Sequence, residues 1–188
     1  MSKKLNEKNT ILCISGGGVK GIAALVILAK IEQITGLPIS KLFNIISGTS
    51  VGGLIAALLT LPKEQGSKEP CYSAKEALEL FENSAAEIFP KSCFNCGIIK
   101  HKYSPEPLEE MLKKHLGDNR LIDTLCRLII PVANLIEGRD SIKVFDSEDK
   151  HSIHIRIKDV LRATTAAPTY FSVVANSEAV RDYDYAAV

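Results

Sequence analysis

The chain has 188 residues, of which 46% are hydrophobic and 24% are charged, and its basic and acidic residues nearly balance to a net charge of +1. This length and composition are typical of one soluble globular domain that buries a substantial core. The balanced charge gives no electrostatic case for nucleic-acid binding, and the longest apolar runs fall far short of the roughly 20 residues that span a bilayer.

Residues 1–10 form a polar leader that lacks the apolar region and cleavage site of a conventional signal peptide. The five cysteines are an odd number, which argues against a closed disulfide framework and favours a reducing compartment. We therefore expect a cytoplasmic protein, or one exported without a conventional signal peptide. Cys93 and Cys96 form a C-x-x-C near His101, but no fourth ligand follows at a suitable spacing, so we predict no metal site.

The first sixty residues repeat a pattern of strand, glycine turn and helix. The elements predicted there are a strand at 11–15, a helix at about 19–34, a strand at 42–47 and a helix at 53–61. Glycines interrupt the chain after each strand, and the strands are continuous apolar runs. This pattern is typical of a parallel sheet covered on both faces. We therefore predict an α/β fold with three α/β/α layers and a mainly parallel central sheet.

The second half of the chain predicts further helices and strands. Ser73 and Glu76 form a capping-box pattern ahead of a helix that extends to about residue 89. Ile153, Ile155 and Ile157 alternate with polar residues, which predicts a half-exposed strand. The other predicted elements are a loop at 63–70, a helix at 105–117, a hairpin of strands 128–136 and 141–145 that turns at 137–140, and a helix at 159–167.

The motif with the clearest chemical meaning is G-x-S-x-G at residues 48–52, with Gly48 and Gly52 on either side of Ser50. A serine on a tight turn between a strand and a helix projects its hydroxyl away from the sheet, where it can act as a nucleophile. The helix that begins just after Ser50 directs free N–H groups and its positive dipole end at the same place. The predicted strand, turn and helix around the motif support this interpretation.

A second glycine-rich motif, Gly16-Gly17-Gly18-Val19-Lys20-Gly21, also follows a strand and precedes a helix. Its backbone N–H groups could stabilise the oxyanion that forms during ester hydrolysis. Gly16, Gly18 and Gly21 also fit the dinucleotide fingerprint G-x-G-x-x-G, which requires an acidic residue about 20 positions further on. Glu32 is the nearest candidate, but it lies inside the first predicted helix. Lys20 could attract a phosphate headgroup or simply be a solvated lysine.

No histidine is placed as a catalytic base would be. His101, His115, His151 and His154 all lie in polar or alternating contexts, and none occupies a glycine-punctuated loop after a strand. We interpret them as surface residues. The sequence therefore predicts a nucleophilic serine and an oxyanion loop without a Ser-His-Asp triad.

Three motifs together resemble the patatin-like phospholipase family: Gly16–Gly21 matches its G-G-G-x-[KR]-G, residues 48–53 match G-T-S-x-G-G, and residues 163–171 read ATTAAPTYF. The resemblance implies a phospholipase A-type lipid acyl hydrolase with Ser50 as the nucleophile of a Ser–Asp dyad. It also implies that Gly16, Gly17 and Gly18 form the oxyanion hole, and that no metal or cofactor takes part. The implied partner is a lipid substrate in a membrane or micelle, which the protein contacts only peripherally. No nucleic-acid partner is expected, and the resemblance does not indicate an oligomeric state.

The chain departs from the family at the aspartate of the dyad. Family members carry it in an Asp-Gly turn after the third motif, whereas here only Asp182 and Asp184 follow, each before a tyrosine. We therefore expect residues 11–188 to be a patatin-like phospholipase domain truncated at its C-terminus. An inactive remnant with the same fold and an unrelated nucleotide-binding α/β domain stay open as alternatives.

Overall fold

The computed structural model describes residues 10–88, 105–134 and 141–166. In chain order the elements are β1 (Ile11–Ile14), α1 (Gly21–Thr35), α2 (Ile39–Leu42), β2 (Ile45–Gly48), α3 (Val51–Thr60), α4 (Ala74–Ile88), α5 (Glu106–Leu116), β3 (Arg127–Asn134), β4 (Ser141–Asp146) and α6 (Ile157–Thr164). Two short 3₁₀ turns lie at Gly18–Lys20 and Leu121–Asp123.

The described strands form one sheet in the order β1-β2-β3-β4. The first three are parallel, and β4 pairs with β3 in the antiparallel direction, as the predicted hairpin requires. Ile14 lies opposite Gly48 in the register of β1 and β2. The glycine-rich motif and the G-x-S-x-G motif therefore leave the sheet side by side, at the carboxyl ends of neighbouring strands, where α/β proteins bind their ligands.

Helix α3 is the centre of the core. All ten of its residues are buried, because it packs against the sheet on one side and against α1, α4 and α6 on the others. Sheet residues such as Ile46, Leu128 and Ile130 are buried in the same core. The predicted α/β fold, with a mainly parallel central sheet flanked by helices, is confirmed. None of the described helices combines the length and apolar character needed to cross a bilayer.

The strand predicted at Ile153, Ile155 and Ile157 is wrong. Residues 150–154 form turns, and Ile157 begins α6. The Asp149 carboxylate accepts hydrogen bonds from the Ser152 hydroxyl (3.1 Å) and the His151 N–H (3.3 Å), which favours a turn over an extended chain. The carbonyls of Ile153 and Ile155 then accept hydrogen bonds from the 3₁₀ turn at Leu121–Asp123, outside the sheet.

The predicted boundaries on either side of the serine also differ from those of the structure. The apolar run at 42–47 begins inside α2, so β2 starts only at Ile45, and α3 starts at Val51, directly after the serine. The capping box is confirmed: the Ser73 N–H donates to the Glu76 carboxylate (2.8 Å), and the Glu76 N–H donates to the Ser73 hydroxyl (3.2 Å). The Ser73 N–H is the main cause that lowers the pKa of Glu76.

Candidate active site

Ser50 has a backbone conformation that side chains rarely adopt. Its φ is 52° and its ψ is −126°, and it alone has a positive φ among the non-glycine residues that the structure describes. Such a residue costs of order 1–3 kcal/mol and persists only where its surroundings enforce it. This conformation turns the chain sharply from the end of β2 into α3, and Ser50 is left partly accessible at the turn. A sharp, strained turn from a strand into a helix is the backbone geometry on which nucleophile elbows are built.

The two glycines that flank the elbow are required by close backbone approach. A Cβ atom on Gly48 would lie 2.6 Å from the Gly53 nitrogen, and one on Gly52 would lie 2.7 Å from the Ile14 carbonyl carbon. Real Cβ atoms essentially never approach within 3.0 Å. A larger residue at Gly52 would therefore push the elbow away from the end of β1, and one at Gly48 would push the end of β2 away from the first turn of α3.

The glycine-rich loop lies directly against the elbow. A Cβ atom on Gly16 would lie 3.1 Å from the Ser50 Cβ, and the Gly16 N–H donates a hydrogen bond of 3.2 Å to the Thr49 hydroxyl. Gly17 and Gly18 follow with φ values of 137° and 59°, which favour glycine strongly. The structure thus brings both predicted motifs together at one edge of the sheet.

The backbone N–H groups near Ser50 are not equally available. The Gly16 N–H is bonded to Thr49, and the Ser50 N–H donates to the Thr164 hydroxyl at 3.1 Å. Within the described part of the chain, the N–H groups of Gly17 and Gly18 have no hydrogen-bond partner. These two groups could therefore donate hydrogen bonds to a developing oxyanion without first breaking a bond.

Thr49 and Thr164 were missed as site residues in the sequence analysis. Thr164 is buried at the end of α6, and its hydroxyl also donates to the Pro131 carbonyl at 2.9 Å. The signal was present in the sequence, because Thr49 lies inside the G-x-S-x-G motif and Thr164 inside the segment at 163–171. Nothing local, however, indicates which backbone groups their hydroxyls bind.

None of the described histidines has a hydrogen bond to a residue of the elbow. The His115 Nδ1 lies 2.9 Å from the Tyr72 hydroxyl, and burial, followed by the charge of Lys114, lowers the pKa of His115. His151 and His154 are exposed in the turns before α6. Lys20 is exposed beside Gly17, as a solvated lysine would be.

Several predicted positions lie outside the described residues: His101, Cys93, Cys96, residues 167–171, Asp182 and Asp184. Among the residues at 10–88, 105–134 and 141–166, no three His, Cys, Asp or Glu side chains cluster closely enough to hold a metal ion.

Glu32 has a structural role that competes with the nucleotide-binding alternative. It lies in the last part of α1, and its carboxylate accepts hydrogen bonds from the backbone N–H of Ile39 (2.9 Å) and of Ala74 (2.7 Å). The carboxylate thereby joins the starts of α2 and α4. It does not follow a second strand, as the acidic residue of a dinucleotide site does.

Comparisons with known proteins point in one direction. The family model for patatin-like phospholipases matches residues 12–184. Patatin-like protein 1 of Arabidopsis thaliana is 35% identical over 179 residues, which cover 86% of this chain and 42% of the relative. A potato (Solanum tuberosum) relative named probable inactive patatin-3-Kuras 1 is 29% identical and is matched over 89% of this chain and 46% of its own length.

The fold has a counterpart among solved structures. One chain in the structure of full-length SpcU in complex with full-length ExoU, from the type III secretion system of Pseudomonas aeruginosa, matches with a TM-score of 0.56 at 19% identity. The match covers 87% of this chain and 39% of the matched chain. The chain therefore spans less than half the length of the proteins that it matches.

Proposed function

The chain belongs to the patatin-like phospholipase family, and from this premise we propose that it is the nucleophile-bearing part of a lipid acyl hydrolase. The observation that carries the proposal is the strained Ser50 elbow, against which the Gly16–Gly18 loop lies with two N–H groups unoccupied by described partners. Acyl transfer from an ester requires a nucleophile that lies beside N–H groups free to donate hydrogen bonds to the oxyanion.

The proposed reaction proceeds through an acyl-enzyme. The Ser50 hydroxyl gives up its proton, and its oxygen attacks the carbonyl carbon of a fatty-acyl ester. The carbonyl oxygen becomes an oxyanion that accepts hydrogen bonds from Gly17 and Gly18, and the α3 dipole adds to its stabilisation. The alcohol leaves with a proton, and water then releases the fatty acid from Ser50.

The finer assignments follow from the family resemblance. We propose a phospholipase A-type specificity, a Ser–Asp dyad in which an aspartate accepts the Ser50 proton, and a substrate held in a membrane or micelle that the protein contacts peripherally. The odd cysteine count supports a cytoplasmic location, or export without a conventional signal peptide.

An inactive protein with this fold is the second candidate, and the potato relative named as probably inactive favours keeping it. A fluorophosphonate probe and a chromogenic acyl ester separate the two candidates. We expect the full-length protein to label and to turn over ester, and Ser50→Ala to lose both activities.

Ser47→Ala is the matched control, because Ser47 lies in β2 three positions before the nucleophile and outside the elbow. It should label as the parent does. Labelling without turnover of either chromogenic or phospholipid ester would favour the inactive alternative. Labelling that persists in Ser50→Ala would show that the nucleophile is assigned wrongly.

A further inference from the structure

The Ser50 conformation needs contacts that enforce it, and the contacts fall into two groups. One group is local: the Gly52 N–H donates to the Thr49 carbonyl (2.8 Å), and the Leu54 N–H donates to the Ser50 carbonyl (3.1 Å). These bonds fix the chain after the nucleophile. The other group is long-range: Thr49 is bonded to Ile14 and Gly16, and the Ser50 N–H itself donates to Thr164, which is 114 residues away.

The Thr164 hydroxyl is held in one orientation from both sides. Its oxygen accepts from the Ser50 N–H, and its own hydrogen goes to the Pro131 carbonyl in β3. The methyl group of the same side chain packs over Gly53, where an added Cβ would lie 3.4 Å from it. A hydroxyl with both of its bonds committed, on a buried β-branched side chain, has little freedom to reorient.

The position of Pro131 in β3 explains why its carbonyl needs a partner outside the sheet. The pairing of β3 with β2 ends at Ile129, and Pro131 lies two residues further, where β2 has already turned into the elbow. A strand that projects beyond its neighbour can contain a proline, because no N–H is required there. Its carbonyl still needs a donor, and the Thr164 hydroxyl supplies one.

We propose that Thr164 is a positioning residue for the nucleophile: its hydroxyl clamps the Ser50 N–H to the projecting end of β3 and holds the elbow in its reactive conformation. This inference rests on the proposed function. A Ser50 N–H that is bonded to Thr164 is not available to the oxyanion, whereas the N–H groups of Gly17 and Gly18 have no partner among the described residues.

Thr165 offers a matched control for Thr164. It is the next residue and is also buried, but its hydroxyl bonds within its own helix, to the carbonyls of Leu161 (2.7 Å) and Arg162 (3.1 Å). A valine at either position keeps the branched shape and removes the hydroxyl. The two variants therefore lose similar packing and similar numbers of hydrogen bonds, and only one of them loses the clamp.

The test compares Thr164→Val, Thr164→Ser and Thr165→Val in the full-length protein. We expect Thr164→Val to slow acylation about tenfold to a hundredfold with KM within about twofold, since the interaction acts on the attacking group and not on substrate binding. Thr164→Ser restores the hydroxyl and should recover acylation to within about threefold of the parent. Thr165→Val should acylate within about twofold of the parent.

The same variants can be followed without any substrate, by hydrogen exchange of the Ser50 amide. We expect this amide to be protected in the parent and in Thr164→Ser, and to exchange much faster in Thr164→Val. Unchanged protection in Thr164→Val overturns the clamp, whether or not the protein is active.

The kinetic outcomes are also decisive. Equal losses in Thr164→Val and Thr165→Val, or a Thr164→Ser variant as slow as Thr164→Val, would assign the effect to packing and overturn the proposal. If the parent neither labels nor turns over ester, the proposed function fails, and amide exchange alone then decides whether the clamp exists.

Discussion

Gly52→Ala tests how tightly the elbow packs against the end of β1. An alanine Cβ at this position would lie 2.7 Å from the Ile14 carbonyl carbon and 2.9 Å from the Ser15 carbonyl oxygen, and closer still to the Ile14 carbonyl oxygen. All three atoms are backbone, so no side chain can rotate to relieve the overlap. The elbow and β1 must separate, or the first turn of α3 must shift.

The magnitude follows from two opposing effects. Replacing glycine by alanine in a helix stabilises by up to about 1 kcal/mol. Overpacking typically costs about 1–3 kcal/mol, and a clash against rigid backbone belongs at the upper end of that range. We therefore expect Gly52→Ala to lower the free energy of unfolding by about 2 kcal/mol, which corresponds to a urea midpoint about 1 M lower at a typical dependence on denaturant.

Gly53→Ala, one residue later in the same helix, is the control. Its Cβ would meet the Gly48 carbonyl oxygen at 3.1 Å and the side chains of Leu161 and Thr164 at 3.4 Å, distances that small shifts can accommodate. We expect it to unfold within about 1 kcal/mol of the parent. Urea unfolding followed by circular dichroism measures both variants. Equal midpoints for the two would refute the close approach between Gly52 and β1.

Three further predictions use other parts of the structure. Gly18→Val should slow acylation far more than it weakens substrate binding, because φ is 59° at this position; lost binding with unchanged acylation would indicate a headgroup or nucleotide site instead. Ser73→Ala removes the hydroxyl, which bonds both the carboxylate and the N–H of Glu76, and should destabilise the protein by about 1 kcal/mol in urea; no change would show that these hydroxyl bonds contribute nothing. The pKa of Asp146 is lowered in the folded protein, mainly because Arg127 donates hydrogen bonds to its carboxylate. The stability that this pair contributes is therefore fully present above about pH 4, the pKa of an unfolded aspartate, and is lost as the pH falls through the lower pKa of the folded state. Asp146→Asn should remove this part of the pH dependence, and an unchanged acid profile would contradict it.

The features predicted correctly from the sequence are those whose causes are local. The capping box involves residues only three positions apart, and each glycine motif adjoins the strand and helix that define it. The adjacency of the two glycine motifs also follows from general rules, because parallel neighbouring strands bring their carboxyl ends together. For the placement of these two motifs in the fold, sequence reasoning was sufficient.

The features that were missed depend on which of several possible partners a group bonds in the folded chain. The alternation of Ile153, Ile155 and Ile157 is indistinguishable from a strand until the turn at Asp149 and the pairing with Leu121–Asp123 are known. The role of Thr164 is similar, since its hydroxyl could have bonded within α6, as that of Thr165 does. Only the packing of α6 against the elbow decides between these possibilities.

The complete burial of α3 has a consequence for how the sequence can vary. A helix at a protein surface tolerates substitution with a rhythm of three to four residues, as α5 should, because only Leu108, Met111, Leu112 and Leu116 of its eleven residues are fully enclosed. Helix α3 has no solvent-facing side on which to accept a charge. A saturation scan of Val51–Thr60 should therefore show unbroken intolerance to charged residues, so that change in this helix is limited to exchanges among small and apolar side chains.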